Sequence, residues 1–261
     1  MNTFSGYTPG HSDNSVNFMR HRRAATHAAF ALDLFKPGLA VLDCGCGPGS
    51  ITLDLARRVA PGIVVGVDAQ DAQFSESREI AARDGLAVRF EAARVDSLPF
   101  ADASFDAVFS HALIEHLPDP SAAAREIARV LKPGGFAALR SPDWGGFLLH
   151  PYPPPVEQAI TGYRAIQARN GGDTQAGRKL PALLRANGFV TIRPSASFEI
   201  YEDPKRIAEY LAVQFDKAGD ADAQAAATAL RAWSHDPDAM FAQAWVEAVG
   251  WKAVTRPSRP G

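Results

Sequence analysis

Residues 39–49, which read Leu-Ala-Val-Leu-Asp-Cys-Gly-Cys-Gly-Pro-Gly, decide the fold of this chain. The apolar run predicts a buried strand over Leu39–Asp43, and the glycines after it allow a tight turn with bare backbone that a ligand can approach closely. The turn leads into a predicted helix, Ser50–Val59. The first N–H groups and the positive dipole end of that helix favour an anionic ligand. The stretch therefore predicts a strand, a ligand-binding turn and a helix in succession.

The same alternation of short β-branched runs and amphipathic helices continues on both sides of this turn. Further strands are predicted at Ile63–Asp68, Ala87–Glu91, Phe105–Ser110 and Phe136–Arg140. Further helices are predicted at Val16–Phe35, Asp71–Arg83 and Pro120–Leu131. Because strands that alternate with helices form parallel sheets covered on both faces, the pattern predicts an α/β fold with a doubly wound, mostly parallel sheet.

The pattern changes after Arg140, where helices dominate. Helices are predicted at Val156–Arg169, Gly177–Ala186, Pro204–Phe215 and Ala221–Trp233, and strands at Phe189–Ile200 and Met240–Trp251. We therefore expect one domain over residues 1–261, in which the last two strands complete the sheet. Its parts are an N-terminal arm and helix that form a lid (1–35), a ligand-binding half (36–141), a helical substrate cap (142–187 and 201–238) and two terminal strands (188–200 and 240–252).

The composition is that of an ordinary globular protein and excludes several classes. Lys and Arg number 27 against 29 Asp and Glu, and this net charge of −2 argues against binding nucleic acid through its phosphates. Hydrophobic residues make up 46% and charged residues 21%, which excludes a disordered chain. No apolar run is long enough for a membrane span, and the start lacks a signal-peptide pattern. Cys44 and Cys46 lie too close for a disulfide, so we expect a soluble protein of the reducing cytoplasm.

An acidic residue, Asp68, ends the strand after the glycine turn. A carboxylate in that place accepts hydrogen bonds from the hydroxyls of a ribose. The turn itself has the spacing Gly-x-Gly-x-Gly, which differs from the Gly-x-Gly-x-x-Gly of dinucleotide sites. Asp43, directly before it, would repel a pyrophosphate and attract an ammonium group. The pattern therefore favours an adenosine that carries an amino acid over NAD.

Three further blocks follow the turn: Ala-Arg-Val-Asp-Ser-Leu-Pro-Phe at 93–100, Ser-Phe-Asp-Ala-Val-Phe-Ser-His-Ala-Leu-Ile-Glu-His-Leu at 104–117, and Val-Leu-Lys-Pro-Gly-Gly at 130–135. In order and spacing, residues 36–141 resemble the class I S-adenosylmethionine (SAM) dependent methyltransferases. The arm Tyr-Thr-Pro-Gly-His at 7–11 is similar to bacterial enzymes that methylate quinones and natural products. The resemblance implies a Rossmann-like sheet of seven strands, SAM as cofactor, S-adenosyl-L-homocysteine (SAH) as product, and no metal.

The resemblance also implies a role for each residue of the cofactor site. The methionine end of SAM is expected on Asp43, Gly45 and Gly47, with Cys46 between them as a loop filler or a reactive thiol. The ribose is expected on Asp68 and the adenine face on Ala69 and Gln70. The exocyclic amine of the adenine is expected on Asp96 and a ring nitrogen on the backbone of Ser97. The carboxylate of SAM is expected on Arg22, and the sulfonium is expected beside His111.

Methyl transfer requires alignment of the nucleophile with the methyl group, and a general base if the nucleophile is a phenol or a ring N–H. The candidate bases are His111, His116, Tyr7 and His150. His111, at the tip of a strand, is the best placed of these, because a histidine accepts protons near neutral pH. His116 also fits an orienting or capping role, and His150 a plain surface position.

Aromatic residues occur where this fold builds its substrate cover. They suit flat ring substrates, although Phe241 and Trp245 also fit core packing. The candidate substrate-binding residues, including two from the arm, are Tyr7, His11, Trp144, Phe241 and Trp245, with Tyr152 and Tyr163 as further aromatic candidates.

The favoured acceptor is a small, planar heteroaromatic metabolite, for example a toxoflavin-type azapteridine methylated on nitrogen in secondary metabolism. O-methylation of a phenol and C-methylation of a quinone ring would use the same residues. A non-catalytic SAM-binding module and an NAD-dependent oxidoreductase are the alternatives of other classes. The second could use Tyr201 and Lys205, but Pro204 between them disfavours a shared helix face. We expect a monomer or homodimer with neither nucleic acid nor membrane as partner.

Overall fold

The computed structural model describes residues 13–254, which form one mixed β-sheet with helices around it. Within these residues the sheet has eight strands: β1 (Ala40–Cys44), β2 (Ile63–Asp68), β3 (Val88–Ala92), β4 (Phe105–His111), β5 (Leu131–Pro142), β6 (Leu148–His150), β7 (Phe189–Ile200) and β8 (Met240–Lys252). The first five strands are parallel, in the order β3-β2-β1-β4-β5. Strand β8 pairs antiparallel with β5, β6 and β7. The predicted doubly wound α/β architecture is confirmed.

Nine α-helices are described: α1 (Asp13–Arg20), α2 (Ala24–His27), α3 (Ser50–Val59), α4 (Ser75–Asp84), α5 (Pro120–Val130), α6 (Pro154–Arg169), α7 (Ala176–Ala186), α8 (Pro204–Asp216) and α9 (Ala221–Trp233). Short 3-10 helices span Ala29–Leu34, Asp71–Phe74 and Ile114–His116. In the described part of the chain no helix is both long and apolar enough to cross a membrane.

The central strands are apolar on both faces because helices cover both. Leu42 of β1 lies between Val65 of β2 and Val108 of β4, and all three side chains are buried. Their face packs on α5 and α7, whereas neighbouring Val41 faces the core of α2 and α3. The ends of these buried strands therefore form a rigid edge on which a ligand site can be built.

The predicted helix Val16–Phe35 is wrong, because the structure divides it into α1, α2 and a 3-10 helix. Arg23 is extended, with φ −133° and ψ 146°. The backbone N–H of Ala24 donates to the carboxylate of Asp54, 3.0 Å away on α3. This tertiary contact starts a new helix, and the break places Arg22 at the ligand site.

Two differences concern the second half of the chain. Strand β6 was not predicted, because only its pairing with the start of β8 defines it.

Helix α7 was expected in the substrate cap, but its buried residues Leu180 and Leu184 pack in the core beneath the sheet. A Cβ on Gly177 would lie 2.7 Å from the carbonyl oxygen of Ser141, so α7 touches the strand backbone. The helical cover therefore consists of α6, α8 and α9, which share one apolar core.

Candidate active site

The carboxyl ends of β1, β2 and β4 meet at one edge of the sheet, where the strand order reverses. This is the place where open α/β sheets bind ligands. A cavity of about 320 Å³ lies there. The predicted cofactor residues that line it are Arg22, Asp43, Gly45, Cys46, Gly47, Asp68, Ala69, Gln70, Asp96 and His111. Lining residues that the sequence did not single out include Met19, Gln73, Leu113 and Asn170.

The glycine turn is tied to the end of β2. The backbone N–H groups of Gly45 and Cys46 both donate to the carbonyl of Val67, at 2.8 and 3.0 Å. Gly49 has a φ of +84°, and a Cβ on it would lie 2.6 Å from the ring of Phe90. Glycine is therefore required there by both the backbone angle and the space.

Asp68 joins the turn to the second strand. Its Oδ2 accepts the backbone N–H of Gly47 at 3.0 Å, and its Oδ1 accepts that of Gln70 at 3.2 Å. The residue lines the cavity in an orientation fixed by the backbone, which fits acceptance of ribose hydroxyls.

Asp43 is a second acidic group at the same end of the cavity. It is buried and accepts a hydrogen bond from the hydroxyl of Thr52 at 2.7 Å. Burial, together with the charge of Asp68, raises the pKa of Asp43 to about 7. A cationic ligand group beside it would stabilise the ionised form. This acidic end fits the ammonium and sulfonium of SAM and disfavours a pyrophosphate.

Cys46 fills space in the turn. Burial, with the charge of Asp43, raises the pKa of its thiol well above the usual range, which disfavours the reactive thiolate. A Cβ on Gly66 of β2 would lie 3.0 Å from the Cys46 sulfur. These contacts favour the loop-filler interpretation over the reactive one.

The segment expected to bind adenine differs in part from that expectation. Asp96 lines the cavity, but the Nε of Arg94 also donates to its carboxylate at 2.9 Å. The backbone N–H of Ser97 donates to the carbonyl of Arg94 at 3.2 Å, and Ser97 does not line the cavity. The turn from Arg94 to Ser97 therefore uses the N–H that was expected to reach the adenine ring.

A second cavity of about 50 Å³ adjoins the first and shares Met19, Arg22, Ala112 and His116 with it. Six of its fifteen lining residues are aromatic. The aromatic residues that line it are Phe18, Trp144, Tyr163, Tyr201, Tyr210 and Trp245. Of the predicted substrate residues, Trp144 and Trp245 are thus part of the wall, and Phe241 packs behind Trp144 with ring centroids 6.1 Å apart. Tyr201 and Tyr210 were missed, because they belong to the segment around α8 and reach the site only through packing.

Glu115 is a lining residue of the second cavity that sequence reasoning also missed. It is buried, and the hydroxyl of Ser141 donates to its carboxylate at 2.9 Å. Burial raises the pKa of Glu115 to about 7. Neighbouring His116 lies 3.7 Å away, and burial with the charge of Arg22 lowers its pKa to about 3. A carboxylate within Leu-Ile-Glu-His-Leu at 113–117, after the fourth strand, was the only signal in the sequence.

The remaining candidate bases are placed as follows. His111 ends β4 and is buried, with its ring 4.7 Å from that of Trp245. His150 pairs with Met240 in the sheet and lines neither cavity. Tyr7 and His11 lie outside the described residues. Within residues 13–254, no three His, Cys, Asp or Glu side chains form a group that could hold a metal ion.

Comparison with known proteins identifies the ligand-binding half. Residues 42–139 match the family model described as "Methyltransferase domain". The probable methyltransferase ltbC of Aspergillus luteorubrus is 30% identical over 201 residues, which are 71% of this chain and 69% of that protein. Two other curated relatives are matched over only about half of their own length, 52% and 46%.

Solved structures share the fold. The YcgJ protein from Bacillus subtilis has a TM-score of 0.63 at 20% identity, covering 87% of this chain and 100% of that one. Phosphoethanolamine N-methyltransferase 2 of Haemonchus contortus, solved in complex with SAM, has a TM-score of 0.64 at 18% identity. The match covers 97% of this chain and 60% of that one. Given the glycine turn, the acidic pair Asp43 and Asp68 and these relatives, the chain belongs to the class I SAM-dependent methyltransferases.

Proposed function

We propose that the chain transfers the methyl group of SAM to a nitrogen or oxygen atom of a small, planar heteroaromatic metabolite. The observation that carries this proposal is the second cavity, whose lining includes six aromatic side chains and shares Arg22 and His116 with the cofactor cavity. Aromatic side chains in the lining suit flat rings.

The residues of the first cavity would hold the cofactor. Asp68 would accept the ribose hydroxyls, and the acidic end formed with Asp43 would face the ammonium and the sulfonium. Arg22 lines both cavities, and its fixed positive charge would pair with the cofactor's carboxylate. When bound, SAM supplies a methyl carbon already activated by a positive sulfur, so the protein contributes alignment and exclusion of water.

A neutral O–H or N–H acceptor must lose a proton as it is methylated. Glu115 is the best-placed group to accept it, because it lines the acceptor cavity and its pKa of about 7 allows proton uptake at neutral pH. His116 is the weaker base, since its pKa is lowered to about 3. The proton would pass from the acceptor to the carboxylate of Glu115 as the new bond to carbon forms.

Fused heterocycles of the azapteridine kind meet these requirements, since they are flat and carry ionisable ring nitrogens. The similarity of the arm at 7–11 to natural-product enzymes supports placing the reaction in secondary metabolism.

The test is a transfer assay with isotopically methyl-labelled SAM and three acceptor classes: phenols, N–H heterocycles that include an azapteridine, and quinols. We expect label on nitrogen or oxygen, located by mass spectrometry and NMR. Label on a ring carbon would contradict the proposal, as would label on a protein or nucleic-acid substrate. Tight binding of SAM without transfer to any class would instead indicate a non-catalytic module.

A further inference from the structure

A cluster of buried charges lies behind the lining residues His111 and Trp245. Its centre is Arg140 of β5, whose side chain is only 3% exposed. The guanidinium is 3.4 Å from Glu247 of β8 and 3.4 Å from Glu199 of β7. Buried ion pairs carry a large desolvation cost and are weak contributors to stability, so the contacts of this cation with site residues need another explanation.

Arg140 contacts one lining residue of each cavity. Its Nη1 is 3.4 Å from the Nδ1 of His111, which lines the cofactor cavity. Its guanidinium carbon lies 4.1 Å from the ring centroid of Trp245, which lines the acceptor cavity. The rings of His111 and Trp245 are themselves 4.7 Å apart. The cation of Arg140 thus holds the adjacent rings of His111 and Trp245 in place.

The contact with Arg140 determines which nitrogen of His111 carries the proton. A guanidinium only donates hydrogen bonds and stays charged in proteins, so Nδ1 must be the acceptor. Burial, with the charges of Arg22 and Arg140, holds the pKa of His111 well below its usual value. The imidazole is therefore neutral, and its single proton resides on Nε2. This Nε2 is buried and has no hydrogen-bond partner among residues 13–254.

We infer that Arg140 is a positioning residue that holds His111 as the neutral tautomer protonated on Nε2, so that the ring is not the proton acceptor of the methyl-transfer site. The role assigned to the site rests on the proposed function, whereas the tautomer does not. His111 was the leading candidate base from the sequence, and this contact reverses its role.

The charged groups around His111 predict what loss of Arg140 would do. The ring faces Arg140, Arg22 and His27. Glu199 accepts from both Arg140 and His27, the latter at 3.3 Å, and Glu247 accepts from Arg140. Removal of Arg140 would take a positive charge away from His111 and from the carboxylates of Glu199 and Glu247. His111 would then protonate more readily, and its Nδ1 would lose its donor.

The experiment is a ¹⁵N NMR titration of the histidine rings in the full chain, between about pH 5 and pH 9. The signal of His111 is assigned by its loss in His111→Gln. In the wild type we expect one neutral form with the proton on Nε2 throughout this range. Arg140→Lys, which keeps the charge, should preserve it. In Arg140→Met, Nδ1 loses its donor, and His111 should populate the tautomer protonated on Nδ1.

A matched control is Arg193→Met, because Arg193 lies over Trp251 in the same way, 4.6 Å from the ring, outside both cavities. It should leave His111 unchanged. If Arg140→Met fails to fold, Arg140→Met/Glu247→Gln removes one charge of each sign and serves in its place. A wild-type His111 with its proton on Nδ1, or an unchanged tautomer population after loss of Arg140, would overturn the inference. Calorimetry with SAH on the same samples reports the proposed function separately.

Discussion

The Oδ2 atom of Asp68 lies 3.0 Å from the backbone nitrogen of Gly47, so the carboxylate at the end of β2 accepts a hydrogen bond from the turn after β1. A single residue thereby shapes the turn and faces the cofactor cavity. Loss of this carboxylate should affect both the turn and the ligand.

Asp68→Ala should weaken SAH binding by about 100-fold or more. Two hydrogen bonds from ribose hydroxyls to a charged group, at about 1.5–3 kcal/mol each, give a loss of this size, since 1.4 kcal/mol is tenfold in affinity. Isothermal titration calorimetry measures it. Asp84→Ala is the matched control, because Asp84 pairs only with surface arginines and lines neither cavity. Equal SAH affinity in Asp68→Ala would remove Asp68 from the cofactor site.

Arg22→Met should weaken SAH by about 10- to 100-fold, because a charge-assisted pair with the cofactor's carboxylate is lost. The sharper comparison uses 5′-methylthioadenosine, which lacks the amino-acid part and should bind the variant as well as the wild type. Arg20→Met is the control, since Arg20 pairs with Glu76 at the surface. An equal loss for both ligands would show that Arg22 does not bind the carboxylate.

Gly49→Ala should destabilise the fold by more than about 2 kcal/mol. A left-handed backbone costs a non-glycine residue about 1–2 kcal/mol, and the new Cβ would lie 2.6 Å from Phe90. Gly85→Ala separates the two effects, because Gly85 has a φ of +63° and open space around it. Urea denaturation gives both values. If the two variants lose the same stability, the close approach of Phe90 does not contribute.

Glu115→Gln should flatten the dependence of stability on pH in the acid range. The pKa of Glu115 rises from 4.5 to about 7 on folding, so the folded state binds the proton more tightly than the unfolded state. The contribution of Glu115 to the free energy of unfolding is therefore fully present below pH 4.5. Up to about 3 kcal/mol of it is lost as the pH rises through 7. Chemical denaturation at several pH values measures the difference. Glu79→Gln, at an exposed position, should leave the curve of stability against pH unchanged. If Glu115→Gln gives the same curve as Glu79→Gln, Glu115 does not titrate as described.

The part of the site that could be predicted from sequence is the part encoded by short, local segments. Asp43 and Asp68 end predicted strands, and parallel strands bring their carboxyl ends together. The glycines at 45–49 predict the turn from composition alone. Asp43 and Asp68 both line the larger cavity, whereas Ser97 does not, because its turn closes on Arg94.

The acceptor side could not be predicted, because it forms only by tertiary packing. Tyr201 and Tyr210 come from the segment around α8 and meet the loop that carries Glu115 more than 80 residues away in sequence. The break in the N-terminal helix depends on Asp54 of another helix. Periodicity within one segment does not report such contacts.

A crystal structure of the chain with SAH tests the central claim most directly. We expect the adenosine in the larger cavity, both ribose hydroxyls on the carboxylate of Asp68, and the sulfur facing the cavity lined by Glu115 and Trp245. SAH bound elsewhere, or a ribose out of reach of Asp68, would contradict the account.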